Sequence, residues 1–221
     1  MLALRRIPRL KKWAKRFCLA VGVYFIFCLP NTLFDTTYST VVEDQNGQLL
    51  MAHIAADGQW RFPQSDSIPS KFKTALIEFE DYRFEQHHGV SLLALGRAVV
   101  QNITAKRLVS GGSTLTMQVI RMSRKRTGRK LSDKLKEMVM AVRLETRYSK
   151  AEILALHASH APFGGNVVGL EAASWRYFGH NAHHLSWAES ATLAVLPNAP
   201  SLIHLSKNRT ALRNKRNRLL K

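Results

Sequence analysis

The hydrophobic residues after position 67 recur with the spacing of amphipathic helices. Behind Pro69, four apolar residues fall at i, i+3, i+4 and i+7: Phe72, Ala75, Leu76 and Phe79. A second stripe is formed by Leu135, Met138, Val139 and Val142. Two serine–glutamate pairs have capping-box spacing before apolar runs: Ser149 with Glu152, and Ser186 with Glu189. The pattern predicts a mainly α domain over residues 67–206.

Residues 35–66 have a different pattern, which predicts a short β element. The β-branched segment 38–42 is followed by the turn sequence Asp44-Gln45-Asn46-Gly47 and then by Leu49-Leu50-Met51. This order is typical of a β-hairpin. Two glycine pairs further along, at 111–112 and 164–165, predict loops between helices.

The first 34 residues combine a basic segment with an apolar run. Residues 17–34 carry no charge, and seven basic residues precede them: Arg5, Arg6, Arg9, Lys11, Lys12, Lys15 and Arg16. A run of this length is just sufficient for a transmembrane helix, and its basic side stays cytoplasmic. A cleaved signal peptide and a buried core helix are the alternatives, but no small-x-small cleavage pattern follows the run. We therefore expect a cytoplasmic segment at 1–16 and an uncleaved anchor at 17–34.

Charge narrows the class of partner without selecting one. The formal net charge is +18 and the pI is about 10.5, which indicates a polyanionic partner: nucleic acid, anionic lipid or a phosphorylated substrate. Part of the excess lies in a basic tail at 207–221. Both cysteines, Cys18 and Cys28, lie inside the apolar run, so no disulfide framework is indicated.

Two segments combine residues that can carry chemistry. The segment Glu80–Gly89 places two adjacent acids at a helix end, where a partly desolvated glutamate can act as a general base. A solvated helix end has the same composition. The segment Gly111–Gln118 is a glycine turn entering a helix, and its backbone amides can hold phosphate oxygens. Lys130, Lys134 and Glu137 share a helical face, a spacing that ordinary surface pairing also explains.

These two segments together resemble the first two motifs of the peptidoglycan glycosyltransferases, glycosyltransferase family 51. The first fits E-D-x-x-F-x-x-H-x-G, and the second fits G-G-S-T-[LI]-T-x-Q. The resemblance extends over roughly residues 40–205, through segments 134–137, 148–154, 161–165 and 189–197. It implies a lysozyme-like helical glycosyltransferase domain with a short N-terminal β-hairpin and one N-terminal transmembrane helix. The implied reaction polymerises lipid II into glycan strands and releases undecaprenyl diphosphate.

The resemblance also implies roles for single residues. Glu80 takes the position of the general base that activates the acceptor sugar's 4-hydroxyl, and Glu137 takes that of the acid that assists departure of the diphosphate. Nine further positions match substrate-binding residues: Asp81, Arg83, Phe84, His87, Ser113, Thr114, Gln118, Arg121 and Lys134. The apolar residues between 92 and 103 match a membrane-dipping jaw, with ordinary core as the alternative.

One segment departs from the family pattern. His157-Ala158-Ser159 stands where the family usually has Tyr-Leu-Asn, and serine cannot supply both the donor and the acceptor of an amide. A catalytically impaired, membrane-bound scaffold of the cell-wall machinery is therefore an alternative function. A lysozyme-like glycan-cleaving enzyme is another, although the diphosphate-binding features argue against it. A nucleic-acid binder fits the charge but not the anchor.

Cofactors and partners follow from the same resemblance. Five histidines suggest a zinc site: His157, His160, His180, His183 and His184. No acid or cysteine completes a ligand set, so we expect no metal site built by the protein. Mg²⁺ or Mn²⁺ is implied as a loosely bound assistant. The expected partners are lipid II, the growing glycan strand, membrane lipids and other cell-wall synthesis proteins, without nucleic acid. The expected location is the bacterial inner membrane, with the N-terminus cytoplasmic and the catalytic domain outside.

Overall fold

The computed structural model describes residues 7–65, 67–107, 111–124, 131–197 and 208–221. The described helices are α1 Ile7–Phe27, α2 Ser70–Glu80, α3 Leu92–Ala105, α4 Leu115–Ser123, α5 Leu131–Glu145, α6 Lys150–His160, α7 Leu170–Phe178, α8 Trp187–Val195 and α9 Arg209–Leu219. The described strands are β1 Thr40–Glu43, β2 Leu49–His53, β3 Trp60–Arg61, β4 Pro162–Gly164 and β5 Val167–Val168. The prediction of a mainly α domain is confirmed.

No residue of helix α4 is fully exposed, and five of its nine residues are buried. It packs against α5 and α6, while α2 packs against α8. Four of its apolar side chains are fully buried in the core: Leu115, Met117, Val119 and Ile120. Full burial of a side chain of this size stabilises the fold by about 1.5–3 kcal/mol. Gln118 and Arg121 remain partly exposed, so α4 presents only a narrow polar face.

Local sequence signals explain where several helices begin. The predicted stripe of α2 is buried at Phe72, Ala75 and Leu76. Both predicted capping boxes form, at Ser149 for α6 and at Ser186 for α8. In each, the serine hydroxyl accepts from the glutamate N–H, and the glutamate carboxylate accepts from the serine N–H. These reciprocal bonds satisfy helix-end donors that would otherwise lack partners.

The predicted hairpin is present, and a second sheet was not predicted. Strands β1 and β2 pair antiparallel, with Thr40 opposite His53. In their turn the Asp44 carboxylate accepts from the backbone N–H groups of Asn46 and Gln48, each at 2.8 Å. The second sheet has the order β3-β5-β4, with β3 parallel to β5. Its strands are too short to show an alternating pattern in the sequence.

The N-terminal segment differs from the prediction. Helix α1 ends at Phe27 rather than at Phe34, because Pro30 disfavours helical geometry at Leu29. Among the residues that the structure describes, no helix is both long enough and apolar enough to cross a bilayer. The transmembrane helix at 17–34 stays a prediction. Residues 1–6 of the predicted cytoplasmic segment lie outside the described residues.

The predicted basic tail contains a helix that the sequence analysis did not anticipate. Helix α9 packs against α8 and α2 and buries Leu212. Basic side chains on its other faces are exposed at Arg209, Arg213 and Arg218. Lys207, at the start of the predicted tail, lies outside the described residues. The C-terminal segment is thus part of the helical domain.

Candidate active site

Two motif glycines allow close contact between backbones around the site. Gly89 has φ +83°, and a Cβ there would lie 2.5 Å from the carbonyl oxygen of Ala141 on α5. Gly112 has φ +51°, and a Cβ there would lie 2.9 Å from the carbonyl oxygen of Ala94 on α3. Real Cβ atoms do not approach backbone so closely, and left-handed φ favours glycine. The backbone of the first motif thus packs directly against α5, and that of the second motif against α3.

The polar face of α4 holds both predicted catalytic carboxylates. Gln118 Nε2 donates to Glu80 Oε2 at 2.7 Å, and Glu80 is the last residue of α2. Arg121 donates to Glu137 of α5, with Nη2 2.9 Å from Oε2. Gln118 and Arg121 are three residues apart, so their Cα atoms differ by about 4.5 Å along the helix axis. Glu80 and Glu137 therefore meet the same face of α4, about one turn apart.

The pair of Arg121 and Glu137 combines a buried acid with an accessible cation. The Glu137 side chain is 9% exposed, whereas the Arg121 side chain is 42% exposed. A buried carboxylate requires such a partner. Arg121 Nη2 also lies 3.4 Å from the hydroxyl of Ser113, at the glycine turn. The accessible part of the guanidinium can therefore donate to an anion bound beside that turn.

A second cation flanks the glycine turn. Lys134 Nζ donates to the carbonyl oxygen of Gly111. The turn thus lies between Arg121 and Lys134, and Ser113 is partly exposed there. Lys130, predicted on the same helical face, lies outside the described residues. Arg83 is exposed at the start of the 3-10 turn Phe84–Gln86.

Three predicted substrate-binding residues of the first motif have little exposed side-chain surface and hold the motif in place. Asp81 Oδ2 lies 3.0 Å from His87 Nε2 and accepts from the backbone N–H of Leu115 at 3.0 Å. That N–H lies in the first turn of α4, where a carboxylate is stabilised. The ring of Phe84 is fully buried in the core. These contacts hold the first motif against α4, and direct substrate contact of Asp81, Phe84 and His87 stays a prediction.

Thr114 is likewise bonded within the protein. It is the N-cap of α4, and its hydroxyl accepts from the backbone N–H of Met117. The hydroxyl donates to the carbonyl oxygen of Gly89 at 2.6 Å. With both bonds made inside the protein, Thr114 ties the second motif to the first, and its contact with substrate stays a prediction.

A buried ion pair behind the first motif was not predicted. Lys150 Nζ donates to Glu145 Oε1 at 2.8 Å and to the carbonyl oxygen of His87 at 2.6 Å. The ammonium also lies 4.3 Å from the ring centroid of Phe84. Glu145 Oε1 accepts a further bond from the hydroxyl of Thr116. The pair connects α6, α5 and α4 to the loop that carries the first motif.

The segment that departs from the family pattern reaches the site through His157 rather than through Ser159. The His157 ring is buried, and its Nε2 lies 3.3 Å from Gln118 Oε1. Burial lowers the pKa of His157 to about 4, so the ring is neutral near pH 7. Ser159 lines a separate cavity together with Gly169 and Glu171. The sequence pattern points to the serine, whereas the histidine makes the contact with the site.

The other histidines have separate surroundings. His160 stacks on Phe34 with ring centroids 3.6 Å apart, and His180 Nε2 lies 3.3 Å from Glu189 Oε1. Across the described ranges, no three His, Cys, Asp or Glu side chains lie close enough together to hold a metal ion.

Helix α3 exposes an apolar face next to the second motif. Five large side chains are exposed on it: Leu92, Leu93, Val99, Val100 and Ile103. Ala98 is the buried residue of this helix. The core interpretation of this stretch is therefore wrong, and an exposed apolar surface is what the family resemblance implied.

A comparison with known proteins assigns the chain to a family. The family model described as Transglycosylase matches residues 47–221. The chain belongs to the transglycosylase family. Among its transglycosylase relatives, penicillin-binding protein 1C of Escherichia coli (strain K12) is 41% identical over 186 residues, which are 84% of this chain and 24% of that protein. Penicillin-binding protein 1F of Bacillus subtilis (strain 168) is 36% identical over 176 residues, 77% of this chain and 24% of that protein.

A shorter transglycosylase relative is the monofunctional glycosyltransferase of Staphylococcus aureus (strain JH9). It is 37% identical over 152 residues, 66% of this chain and 56% of that protein. The chain thus spans about a quarter of the length of the two penicillin-binding proteins. A crystal structure of penicillin-binding protein 1A from Haemophilus influenzae aligns with 84% of this chain and 18% of that chain, at TM-score 0.43 and 18% identity.

Proposed function

We propose that this domain is a peptidoglycan glycosyltransferase that polymerises lipid II into glycan strands and releases undecaprenyl diphosphate. One observation carries the proposal: Glu80 and Glu137 meet the same face of α4, each through its own donor. Membership of the transglycosylase family supports the same reaction. The similarity to the monofunctional glycosyltransferase of Staphylococcus aureus supports it as well.

In the proposed reaction, the 4-hydroxyl of the acceptor sugar attacks the anomeric carbon of the donor. A new C–O bond forms as the bond from that carbon to the diphosphate breaks. Glu80 accepts the hydroxyl proton during attack, since a hydroxyl is a weak nucleophile until its proton is removed. The N–H of Gln118 fixes one oxygen of the Glu80 carboxylate, so the carboxylate is oriented before substrate arrives.

The departing diphosphate gathers negative charge as its bond to the sugar breaks. Arg121 and Lys134 flank the glycine turn and can donate to these oxygens. Glu137 holds the Arg121 guanidinium in position from its buried side. Lys134→Ala should weaken donor use more than it lowers the melting temperature, and an equal loss of both would indicate a structural role.

A loosely bound divalent cation remains part of the proposal. The described residues beside the glycine turn present cations and one buried acid, already paired with Arg121, rather than a carboxylate cage. This donor set does not fit a resident Mg²⁺ or Mn²⁺. We therefore assign such an ion to the diphosphate oxygens of the substrate and derive no step through it. Chelation should slow polymerisation without changing the melting temperature of the protein.

We also propose that the domain works at the outer face of the bacterial inner membrane, attached through its N-terminal segment. The order of a basic segment before the uncharged residues 17–34 supports this orientation. The exposed apolar face of α3 supports contact with lipid, because apolar patches of this kind mark interaction surfaces. Membrane lipids and other cell-wall synthesis proteins are the proposed partners.

A reporter enzyme fused after Lys221 tests this orientation. A reporter that is active only outside the cytoplasm should be active, and one that is active only inside should not. Cytoplasmic activity would contradict the proposed topology.

Polymerisation of labelled lipid II by the detergent-solubilised chain tests the function itself. Glycan polymer is the expected product. A protein that only shortens finished glycan would instead be a cleaving enzyme. A folded protein that makes no polymer would be the impaired scaffold.

A further inference from the structure

His157, Gln118 and Glu80 form a continuous chain of polar groups from the core to the proposed base. His157 lies on α6, Gln118 on α4 and Glu80 at the end of α2. The contacts are 3.3 Å from His157 Nε2 to Gln118 Oε1, and 2.7 Å from Gln118 Nε2 to Glu80 Oε2. His157 is 1% exposed, so solvent does not substitute for its contact with Gln118.

The chemistry of the three groups fixes the direction of these hydrogen bonds. An ionised carboxylate only accepts, so the amide N–H₂ of Gln118 must face Glu80. The amide oxygen then faces His157 and needs a donor, which requires a proton on Nε2. The opposite tautomer would set two acceptors against each other and bury an N–H at Nδ1. Among the described residues His157 Nδ1 has no hydrogen-bond partner, which a bare acceptor tolerates better than a donor does.

We propose that His157, with its proton on Nε2, is a positioning residue that locks the amide of Gln118 in the orientation that donates to Glu80. The inference rests on the proposed function, because it assigns Glu80 as the base. An amide without this lock can rotate and present its oxygen to the carboxylate, which would displace the base from its attacking geometry. The departure from Tyr-Leu-Asn then introduces a group that supports the site in place of one that is lost.

Activity of purified variants on lipid II tests the role. His157→Met keeps the apolar volume and removes the donor, whereas His157→Gln keeps an N–H donor. His160→Met is the matched control, since His160 is buried on the same helix but contacts Leu156 and Phe34. We expect His157→Met to lower kcat about tenfold, the rate equivalent of one typical hydrogen bond, with little change in KM. His157→Gln should recover most of kcat, and His160→Met should retain it.

Nitrogen NMR of ¹⁵N-histidine-labelled protein tests the same chain without an activity assay. The His157 signals, identified by their loss in His157→Gln, should show a protonated Nε2 and a bare Nδ1 near pH 7. A protonated Nδ1 would overturn the inference. So would an active wild type whose His157→Met variant is equally fast, and in that case the proposed function stands. A folded wild type that makes no polymer would refute the proposed function and this role together, and the nitrogen spectrum then reports only on the hydrogen-bond chain.

Discussion

Replacing Lys150 with methionine should destabilise the domain through the acid that it leaves behind. The Lys150 side chain is 22% exposed, and that of Glu145 is 5% exposed. Methionine retains the apolar stem that packs near Phe84 but removes the ammonium. Glu145 would then be a buried charge without its cation, and among the described residues the hydroxyl of Thr116 would still donate to it. The carbonyl oxygen of His87 would also lose its bond.

The expected magnitude follows from these exposures. Removing one partner of a buried ion pair typically costs about 3–5 kcal/mol. Because Lys150 is not fully buried, we expect about 3 kcal/mol, which lowers the melting temperature by about 6–12 °C in a domain of this size. In the double variant with Glu145→Gln the uncompensated charge is gone, so about half of the loss should be recovered.

Denaturant and thermal unfolding of the purified chain measure this loss. The matched control is Lys73→Met, because Lys73 and Glu85 form an exposed pair at 3.7 Å. An exposed pair contributes less than about 1 kcal/mol. If Lys150→Met is no more destabilising than Lys73→Met, or if the added Glu145→Gln lowers stability further, the reasoning about the buried pair is refuted.

Three further predictions concern the glycine contact, the buried histidine and the exposed arginine. Gly89→Ala should lower the free energy of unfolding by more than about 2 kcal/mol, and by more than Gly58→Ala does, because only at Gly89 would a Cβ lie 2.5 Å from the Ala141 oxygen. Both positions have positive φ, so equal losses of stability in denaturant unfolding would contradict this. Because burial lowers the pKa of His157 from 6.5 to about 4, the unfolded chain binds a proton between those pH values that the folded chain does not. The contribution of His157 to the free energy of unfolding should be complete above about pH 6.5 and fall by about 3 kcal/mol toward pH 4, and His157→Gln should lose this pH dependence. An unchanged pH dependence of stability in His157→Gln would refute the lowered pKa of His157. Arg121→Ala should raise the activation free energy of donor use by about 1.5–3 kcal/mol and Arg121→Lys by less. Because Arg121→Ala also leaves the buried Glu137 without its cation, its melting temperature should fall as well, and unchanged activity on lipid II would contradict the assignment.

The helices and the two motifs could be predicted because their signals are local. A buried helical stripe such as that of α2 repeats every few residues, and a capping box such as that at Ser149 occupies four. The hairpin could be predicted from its turn residues for the same reason. The β3-β5-β4 sheet could not be predicted, because its strands are two or three residues long and β3 and β5 pair across more than a hundred residues.

The roles within the site could be predicted only in part, because burial of charged residues depends on tertiary contacts. Asp81 pairs with a backbone group 34 residues away, and Lys150 with one 63 residues away. In the sequence, both look like ordinary surface charges. His157 likewise appeared as a departure from a motif, and its contact with Gln118, 39 residues away, becomes evident only when α6 packs on α4.

The central claim is that Glu80 is the base of a polymerising transferase, and one measurement tests it most directly. Polymerisation of labelled lipid II should be compared between wild type, Glu80→Gln and the control Glu78→Gln, an exposed position on the same helix. Glutamine keeps the shape and hydrogen-bonding capacity but removes the basicity, so Glu80→Gln should still bind substrate while turnover falls by about 10²–10⁴-fold. Glu78→Gln should polymerise like wild type. A Glu80→Gln protein that polymerises lipid II at a rate near that of wild type would contradict the account.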